Sequence, residues 1–152
     1  KVFGEIITQN PTVEFHFFGS QEANLSVAWQ REWKDLLERS ANVRLRGLFA
    51  THELVEAYAD MDIFLLCYKP DYVNYHGENS HKVLEYLSTG KVLVSTHLTL
   101  YNSTKLFEMT SFDHNEEIVT LFAGVIARLS EFNSISRMQE RRDFALEHTY
   151  LK

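Results

Sequence analysis

Short apolar runs that alternate with longer helical patterns constrain the fold of this chain more than any other feature. The run from Asp62 to Tyr68 is continuously apolar after its first residue, which is typical of a strand covered on both faces. Val92 to Ser95 is a second run of the same type. Alternating runs at 13–19 and 42–47, together with a weaker one at 106–112, bring the predicted strands to five.

Helical periodicity fills the gaps between these runs, which are long enough for the crossovers that parallel strands require. Gly90 stands where a helix that ends near Thr89 needs a left-handed residue. Strand and helix in regular alternation predict a Rossmann-like α/β fold, a three-layer sandwich with a mainly parallel sheet. The predicted helices are 1–9, 25–40, 51–59, 79–89, 115–132 and 136–148.

Charge and cysteine content exclude several classes of protein. The 152 residues carry 15 basic and 21 acidic side chains, a net charge of −6, whereas a duplex nucleic-acid binder normally has the opposite balance. One cysteine rules out an internal disulfide framework, and no apolar run approaches the roughly 20 residues that span a bilayer. We therefore expect a cytoplasmic protein with no nucleic-acid partner.

One loop-to-helix segment, opened by Asn79 or Ser80, carries the most chemical information. The start of a helix exposes unpaired backbone N–H groups and the positive end of the helix dipole, and both favour a phosphate. His81 and Lys82 add positive charge in the first turn, where acidic residues suit the helix better. Glu85, one turn later, has a carboxylate that can accept hydrogen bonds from a ribose diol. The segment thus predicts an anion site, although spacing alone favours a purely structural Lys82–Glu85 pair.

Five stretches of this chain resemble a known family in their order and spacing. Residues 82–95, KVLEYLSTGKVLVS, are similar to the donor-site segment of retaining GT-B-fold glycosyltransferases of the glycosyl transferases group 1 type. In that family the segment reads approximately Lys-hydrophobic-x-Glu-Tyr, followed after three residues by Gly-Lys-Pro-Val-Val-Ser. The other stretches are 11–19, 42–49, 54–66 and 144–150, so the resemblance covers nearly the whole chain.

The resemblance implies that the chain binds the nucleotide part of a nucleoside-diphosphate sugar, with that donor as substrate and with no cofactor or metal. Glu85 would hold the ribose hydroxyls, and the turn at Leu48 would border the base. Gly19 would allow close approach of the backbone to the donor. The diphosphate would face the start of the helix, formed by Asn79, Ser80, His81 and Lys82.

It also implies the C-terminal half of a larger two-domain enzyme, with residues 1–152 as one domain. The family's first strand and its Arg- and Lys-bearing loop have no counterpart in the sequence, so the five strands are expected in the order 2-1-3-4-5. Catalytic residues are expected in a missing N-terminal acceptor domain. The isolated domain should then be an inactive piece of a hexosyltransferase for bacterial glycan or polysaccharide synthesis. Membrane association through the whole enzyme stays open.

Several positions depart from the family pattern. The family's two glutamates are separated by a spacing that places the first at Gly77, whereas the nearest carboxylate here is Glu78. His81 and Val92 stand where proline is usual. These departures indicate a divergent branch or altered handling of the donor sugar.

A different class of function is a non-catalytic flavodoxin- or receiver-like interaction module. A phosphoacceptor receiver needs aspartates at the end of its first strand, where this chain has Phe18 and Gly19. Other conspicuous residues favour structural roles. Cys67 is predicted to be an inert core thiol, and Trp29 and Trp33 are predicted to pack on one helix face. A solvated face is predicted to hold Arg137, Arg141 and Arg142.

Overall fold

The computed structural model describes residues 2–20, 27–68 and 81–148. The chain divides into two compact units, Lys1–Glu56 and Ala57–Lys152, and the division falls inside a helix. We call them unit 1 and unit 2. The expectation of a single domain over 1–152 stays a prediction.

Unit 1 contains a parallel two-stranded sheet. Phe15 lies opposite Val43 and Phe18 opposite Gly47, with a shift of register between Phe17 and Phe18. This pairing matches the first two positions of the predicted strand order. The elements are α1 (Val2–Gln9), β1 (Phe15–Phe18), α2 (Ala28–Arg39), β2 (Val43–Gly47) and the first part of α3 (Thr51–Ala59).

The core of unit 1 joins its helices to its sheet. Ile6 and Ile7 of α1 are almost completely buried. Trp33 packs edge-on against Phe17, with ring centroids 5.7 Å apart, which confirms the predicted packing role of this tryptophan. Trp29 is 54% exposed, so the packing role predicted for this residue stays a prediction.

Unit 2 contains a parallel three-stranded sheet in the order β3-β4-β5. All four residues of β4 are buried, as its continuous apolar sequence predicts. The predicted pairing of β1 with β3, which would complete a single five-stranded sheet, stays a prediction. The elements are β3 (Ile63–Leu66), α4 (His81–Ser88), β4 (Val92–Ser95), β5 (Glu108–Met109), α5 (Ile118–Ala127), α6 (Leu129–Phe132) and α7 (Ile135–His148).

Two arginines of α7 hold the carboxyl end of α4. Arg141 is only 2% exposed and donates hydrogen bonds to the carbonyl oxygens of Gly90 (2.9 Å), Leu106 (2.7 Å) and Phe132 (2.8 Å). Burial, with help from neighbouring Arg137, lowers its pKa to about 10. A solvated position for Arg141 is therefore a wrong prediction, because a guanidinium with several fixed donors can satisfy carbonyls inside a protein.

The neighbouring arginine and the terminal glycine complete this helix end. Arg142 donates through Nε and Nη2 to the carbonyl oxygen of Thr89, at 3.2 and 2.9 Å. Gly90 has φ +82°, as predicted for a residue that ends a helix in the left-handed region. A Cβ at Gly90 would lie 2.8 Å from Arg142 Nε. The end of α4 is thus closely packed, and it is held both by its own glycine and by two arginines from a distant segment.

Cys67 follows β3, where burial raises the pKa of its thiol to about 12. A thiol with so high a pKa is almost wholly protonated at neutral pH and is a poor nucleophile. This environment agrees with the predicted inert role.

Candidate functional site

The described part of α4 presents the charged side chains that the sequence singles out. Val83 and Leu87 lie on one face of the helix and are fully buried, because their four-residue spacing keeps them on one side. His81, the first described residue of the helix, is exposed. Lys82 and Glu85 share another face and are partly exposed. The core anchors α4 and leaves this polar face accessible.

Lys82 and Glu85 form an ion pair across three residues of the helix. Lys82 Nζ donates to Glu85 Oε2 at 2.7 Å, and the two side chains are 44% and 39% exposed. This is the structural pair that spacing alone favours. Such a pair contributes only about 0.3–0.5 kcal/mol to stability. Its contribution to the fold is therefore small.

Three aromatic rings, Tyr58, Phe64 and Tyr86, pack together beside this pair, and we call them the aromatic cluster. Phe64 and Tyr86 stack with centroids 4.3 Å apart and an interplanar angle of 13°. Tyr58 meets both rings edge-on, at 5.2 Å from Phe64 and 5.5 Å from Tyr86. The cluster joins the end of α3, the strand β3 and the middle of α4. The patterns in the sequence did not predict this cluster.

The aromatic cluster also shapes the electrostatics of the ion pair. Partial burial would lower the pKa of Lys82, but hydrogen bonds with Glu85 and Tyr58, together with the charge of Glu85, raise it overall. Burial and the neighbouring Tyr58 hydroxyl raise the pKa of Tyr86 well above its usual range. At neutral pH Lys82 is therefore protonated and Tyr86 is a neutral phenol.

The carboxyl edge of the unit 2 sheet carries a second set of polar groups. The Tyr68 amide donates to Thr96 Oγ1 at 3.0 Å, and the His97 amide donates to Thr110 Oγ1 at 3.0 Å. Asn115 Nδ2 donates to the Tyr68 carbonyl oxygen at 3.2 Å. These bonds connect the residues that follow all three strands, at the edge where open α/β sheets bind ligands.

Two glycines and an exposed loop mark the corresponding edge of unit 1. The Gly19 amide donates to the Gly47 carbonyl oxygen at 2.8 Å, and the φ angles of these glycines are +121° and +75°. Leu48 is 80% exposed, and Phe49 packs edge-on against Phe18. Among the described residues, no atom lies within 4 Å of a Cβ built at Gly19. The close approach of a donor to this glycine, which the family resemblance implies, stays a prediction.

Residues 2–20, 27–68 and 81–148 form neither a metal site nor a membrane-spanning helix. In those ranges no group of three or more His, Cys, Asp and Glu is arranged to hold a metal ion. The same ranges contain no helix with the length and apolar character that crossing a membrane requires.

Comparison with known families decides the identity of this α/β chain. A family model described as glycosyl transferase-like matches residues 2–151. The chain belongs to the glycosyl transferase-like family. The fold resemblance seen in the sequence is therefore a family relationship, and a transferase function of the glycosyltransferase type follows from it. No curated protein matched the chain.

For a glycosyl transferase-like chain, the structure brings together part of the expected donor site. Lys82 and Glu85 are in direct contact, and His81 precedes them on the same helix. Asn79 and Ser80 lie outside the described residues. The other two expected donor-site residues, Gly19 and Leu48, belong to unit 1.

Proposed function

We propose that this chain is the C-terminal, nucleotide-sugar-binding domain of a GT-B-fold retaining glycosyltransferase. The family match supports the transferase class. The 2.7 Å contact between Lys82 and Glu85 in the first turns of α4 supports the donor site. It is the observation on which the proposal depends, because a cation and a carboxylate side by side suit the diphosphate and the ribose of one nucleotide.

In this proposal the two charges serve different parts of the donor. Lys82 and the backbone N–H groups at the start of α4 face the diphosphate, which a helix amino end and a cation both favour. Glu85 accepts hydrogen bonds from the ribose hydroxyls. A carboxylate offers about four acceptor positions, so its bond to Lys82 leaves capacity for a diol. The Lys82–Glu85 pair then orders the site before the nucleotide arrives.

The same groups would assist transfer of the sugar. Breaking the bond between the anomeric carbon and the diphosphate oxygen leaves its electron pair on the diphosphate, so negative charge grows there. Fixed donors aimed at that charge lower the barrier. With Lys82 and the helix in this role the reaction is independent of metal. The acceptor and the remaining catalytic groups belong to the partner N-terminal domain, so the isolated domain should bind a nucleotide but transfer nothing.

The proposal also assigns roles to two residues of unit 1, Gly19 and Leu48. We assign the close backbone approach to the donor to Gly19, whose φ of +121° suits glycine best. We assign the border of the base to the exposed turn at Leu48.

Thermal-shift measurements with UDP, GDP, ADP, uridine and FMN test the donor site. We expect one nucleoside diphosphate to stabilise the domain, and we expect Glu85→Gln to reduce its affinity by about 10-fold, the loss of a bond to a charged group. Glu140→Gln is the matched control, because Glu140 also pairs with a basic residue three positions away, Arg137, on an exposed helix face. This variant should bind normally.

A flat response to every nucleotide would contradict the donor-site proposal and favour the non-catalytic interaction module. Sugar transfer by the isolated 152 residues would contradict the two-domain proposal. Stabilisation by FMN alone would instead favour a flavodoxin-like function.

A further inference from the structure

We propose that His97 binds a hydroxyl group of the sugar that the donor carries, an inference that rests on the proposed function. His97 is the second residue after β4, at the carboxyl edge of the unit 2 sheet. Open α/β sheets bind their ligands at this edge. The sequence pattern did not single out His97, because the partner that orients its ring, Thr110, is 13 positions away.

The start of α4 and the end of β4 lie at the same edge of the sheet. Because β3 and β4 are parallel, the helix that joins them runs in the opposite direction. The eight residues of α4 span about 12 Å and the four residues of β4 about 13 Å, so β4 ends at the level where α4 begins. A nucleotide held at Lys82 therefore has its diphosphate, and the sugar bonded to it, at the edge that carries His97.

The fold determines which ring nitrogen of His97 carries the proton. Nδ1 lies 3.3 Å from the carbonyl oxygen of Thr110. Because a carbonyl oxygen can only accept, Nδ1 donates, and the neutral ring has its lone pair on Nε2. Phe112 meets the imidazole edge-on, with ring centroids 5.3 Å apart, and restricts its rotation. His97 thus presents a hydrogen-bond acceptor in a defined direction.

Nε2 of His97 is available to a ligand. No donor in the described ranges bonds to this atom, and His97 is partly exposed. A neutral Nε2 accepts hydrogen bonds, and so do the oxygens of a diphosphate, so this atom suits the hydroxyl groups of a sugar rather than the phosphates. Phe112 beside it is 57% exposed and offers an apolar surface to the sugar ring.

The ends of β4 and β5 are joined without the imidazole. The Thr110 amide donates to the Ser95 carbonyl oxygen at 3.1 Å, and the His97 amide donates to Thr110 Oγ1 at 3.0 Å. Neither bond uses the side chain of His97. A substitution at this position therefore tests sugar binding with little effect on the fold.

Two substitutions separate the roles of the two ring nitrogens. The amide of His97→Asn can donate to Thr110 as Nδ1 does, but it does not reach the position of Nε2. The longer side chain of His97→Gln places an acceptor near that position. Dissociation constants are measured by titration calorimetry for UDP and UDP-glucose, GDP and GDP-mannose, and ADP and ADP-glucose.

We expect His97→Asn to weaken binding of the sugar nucleotide by about 2–10-fold, the loss of one neutral hydrogen bond. Binding of the matching nucleoside diphosphate should not change, and His97→Gln should recover most of the loss. An unchanged affinity in His97→Asn, or an equal loss for both ligands of a pair, would overturn the inference. A loss that His97→Gln leaves undiminished would also overturn it.

His148→Asn is the matched control. The Nδ1 atom of His148 also lies beside a backbone carbonyl oxygen, that of Phe144 at 2.8 Å, and its ring stacks on the ring of Phe144. His148 ends α7, however, and does not follow a strand. This variant should bind both ligands of every pair as the wild type does, and a selective loss of the sugar nucleotide here would contradict the assignment to His97.

The outcomes separate this inference from the proposed function. If the wild type binds none of the six nucleotides, the proposed function fails and the role of His97 fails with it. If the wild type binds a nucleoside diphosphate but no sugar nucleotide, or if His97→Asn leaves the preference between them unchanged, only the role of His97 fails.

Discussion

Both ends of α4 are contacted by positively charged side chains, but their surroundings differ. At the carboxyl end, Arg141 and Arg142 bond the carbonyl oxygens of Gly90 and Thr89, and Arg141 is buried. At the amino end, Lys82 is 44% exposed and pairs with Glu85. Positive charge favours the carboxyl end of a helix and disfavours the amino end. The arginines therefore stabilise the fold, whereas Lys82 is placed against the helix dipole.

This contrast suggests how structural and functional charges can be told apart. The structural arginines complement the helix dipole and bond to carbonyl oxygens of the protein. A functional charge is accessible and is locally unfavourable for the fold. Lys82 fits the second description, which supports its proposed role in binding. We therefore expect substitutions at the carboxyl end of α4 to change mainly stability, and substitutions at its amino end to change mainly nucleotide binding.

Removing Arg141 should have the largest effect on stability. Arg141→Met leaves three carbonyl oxygens without their donor, and unsatisfied buried groups cost about 1–3 kcal/mol each. We expect the free energy of unfolding, measured by urea denaturation, to fall by about 3 kcal/mol or more. Arg137→Met, one turn earlier on α7 and half-exposed, should change it by less than about 0.5 kcal/mol. Equal effects would contradict the structural role of Arg141.

Gly90→Ala should have the next largest effect. Its φ of +82° costs a residue with a Cβ about 1–2 kcal/mol, and that Cβ would lie 2.9 Å from the Met138 carbonyl oxygen. We expect a loss of about 2 kcal/mol in thermal unfolding. The control Gly124→Ala lies within α5, with no described atom within 4 Å of the added Cβ. It should stabilise by about 0.5–1 kcal/mol, and a loss there would contradict the comparison.

Glu85→Gln should change stability very little. Its ion pair with Lys82 is partly exposed, so we expect a change within about 0.5 kcal/mol in the same urea experiment. Combined with the expected loss of nucleotide affinity, this would separate the amino end of α4 from its carboxyl end. A loss of more than about 1.5 kcal/mol would instead identify Glu85 as a structural residue.

The smallest effect should appear at alkaline pH. Burial tends to lower the pKa of Lys82, yet its bonds with Glu85 and Tyr58 raise it above the ordinary value of 10.5. A raised pKa in the folded state stabilises the fold below pH 10.5 and loses that contribution as the pH rises through the folded value. The difference in Tm between wild type and Lys82→Met should therefore shrink between pH 9 and pH 11.5. A difference that grows would contradict this assignment.

Local sequence was sufficient where one chemical feature dominates. The continuous apolar run predicted β4 with its bounds, Val92–Ser95, and Gly90 predicted the helix end. Local sequence predicted the bounds of elements less accurately where tertiary packing determines them. The predicted helix 115–132 is interrupted at Arg128, where φ is −127° and ψ is 32°, with no glycine or proline to mark the break. The predicted strand 106–112 reduces to Glu108–Met109.

The candidate site shows the same division. The contact of Lys82 with Glu85 follows from helical spacing alone. The positions of Tyr58 and Arg141 do not, because each depends on a partner from a distant segment. Four residues after Arg141, Ala145 is fully buried, and this spacing is the one signal that could have placed the arginine on the inner face of α7.

Asn133, between α6 and α7, acts like a piece of backbone inserted into the unit 2 sheet. Its Oδ1 accepts from the Val92 amide and its Nδ2 donates to the Asp62 carbonyl oxygen, both at 2.8 Å. Since β3 and β4 begin at these two points, an amide from far along the chain supplies the first rung of their ladder. Truncating the chain before Asn133 would remove these two hydrogen bonds from the start of β3 and β4. The segment that follows α6 therefore contributes to the stability of the unit 2 sheet.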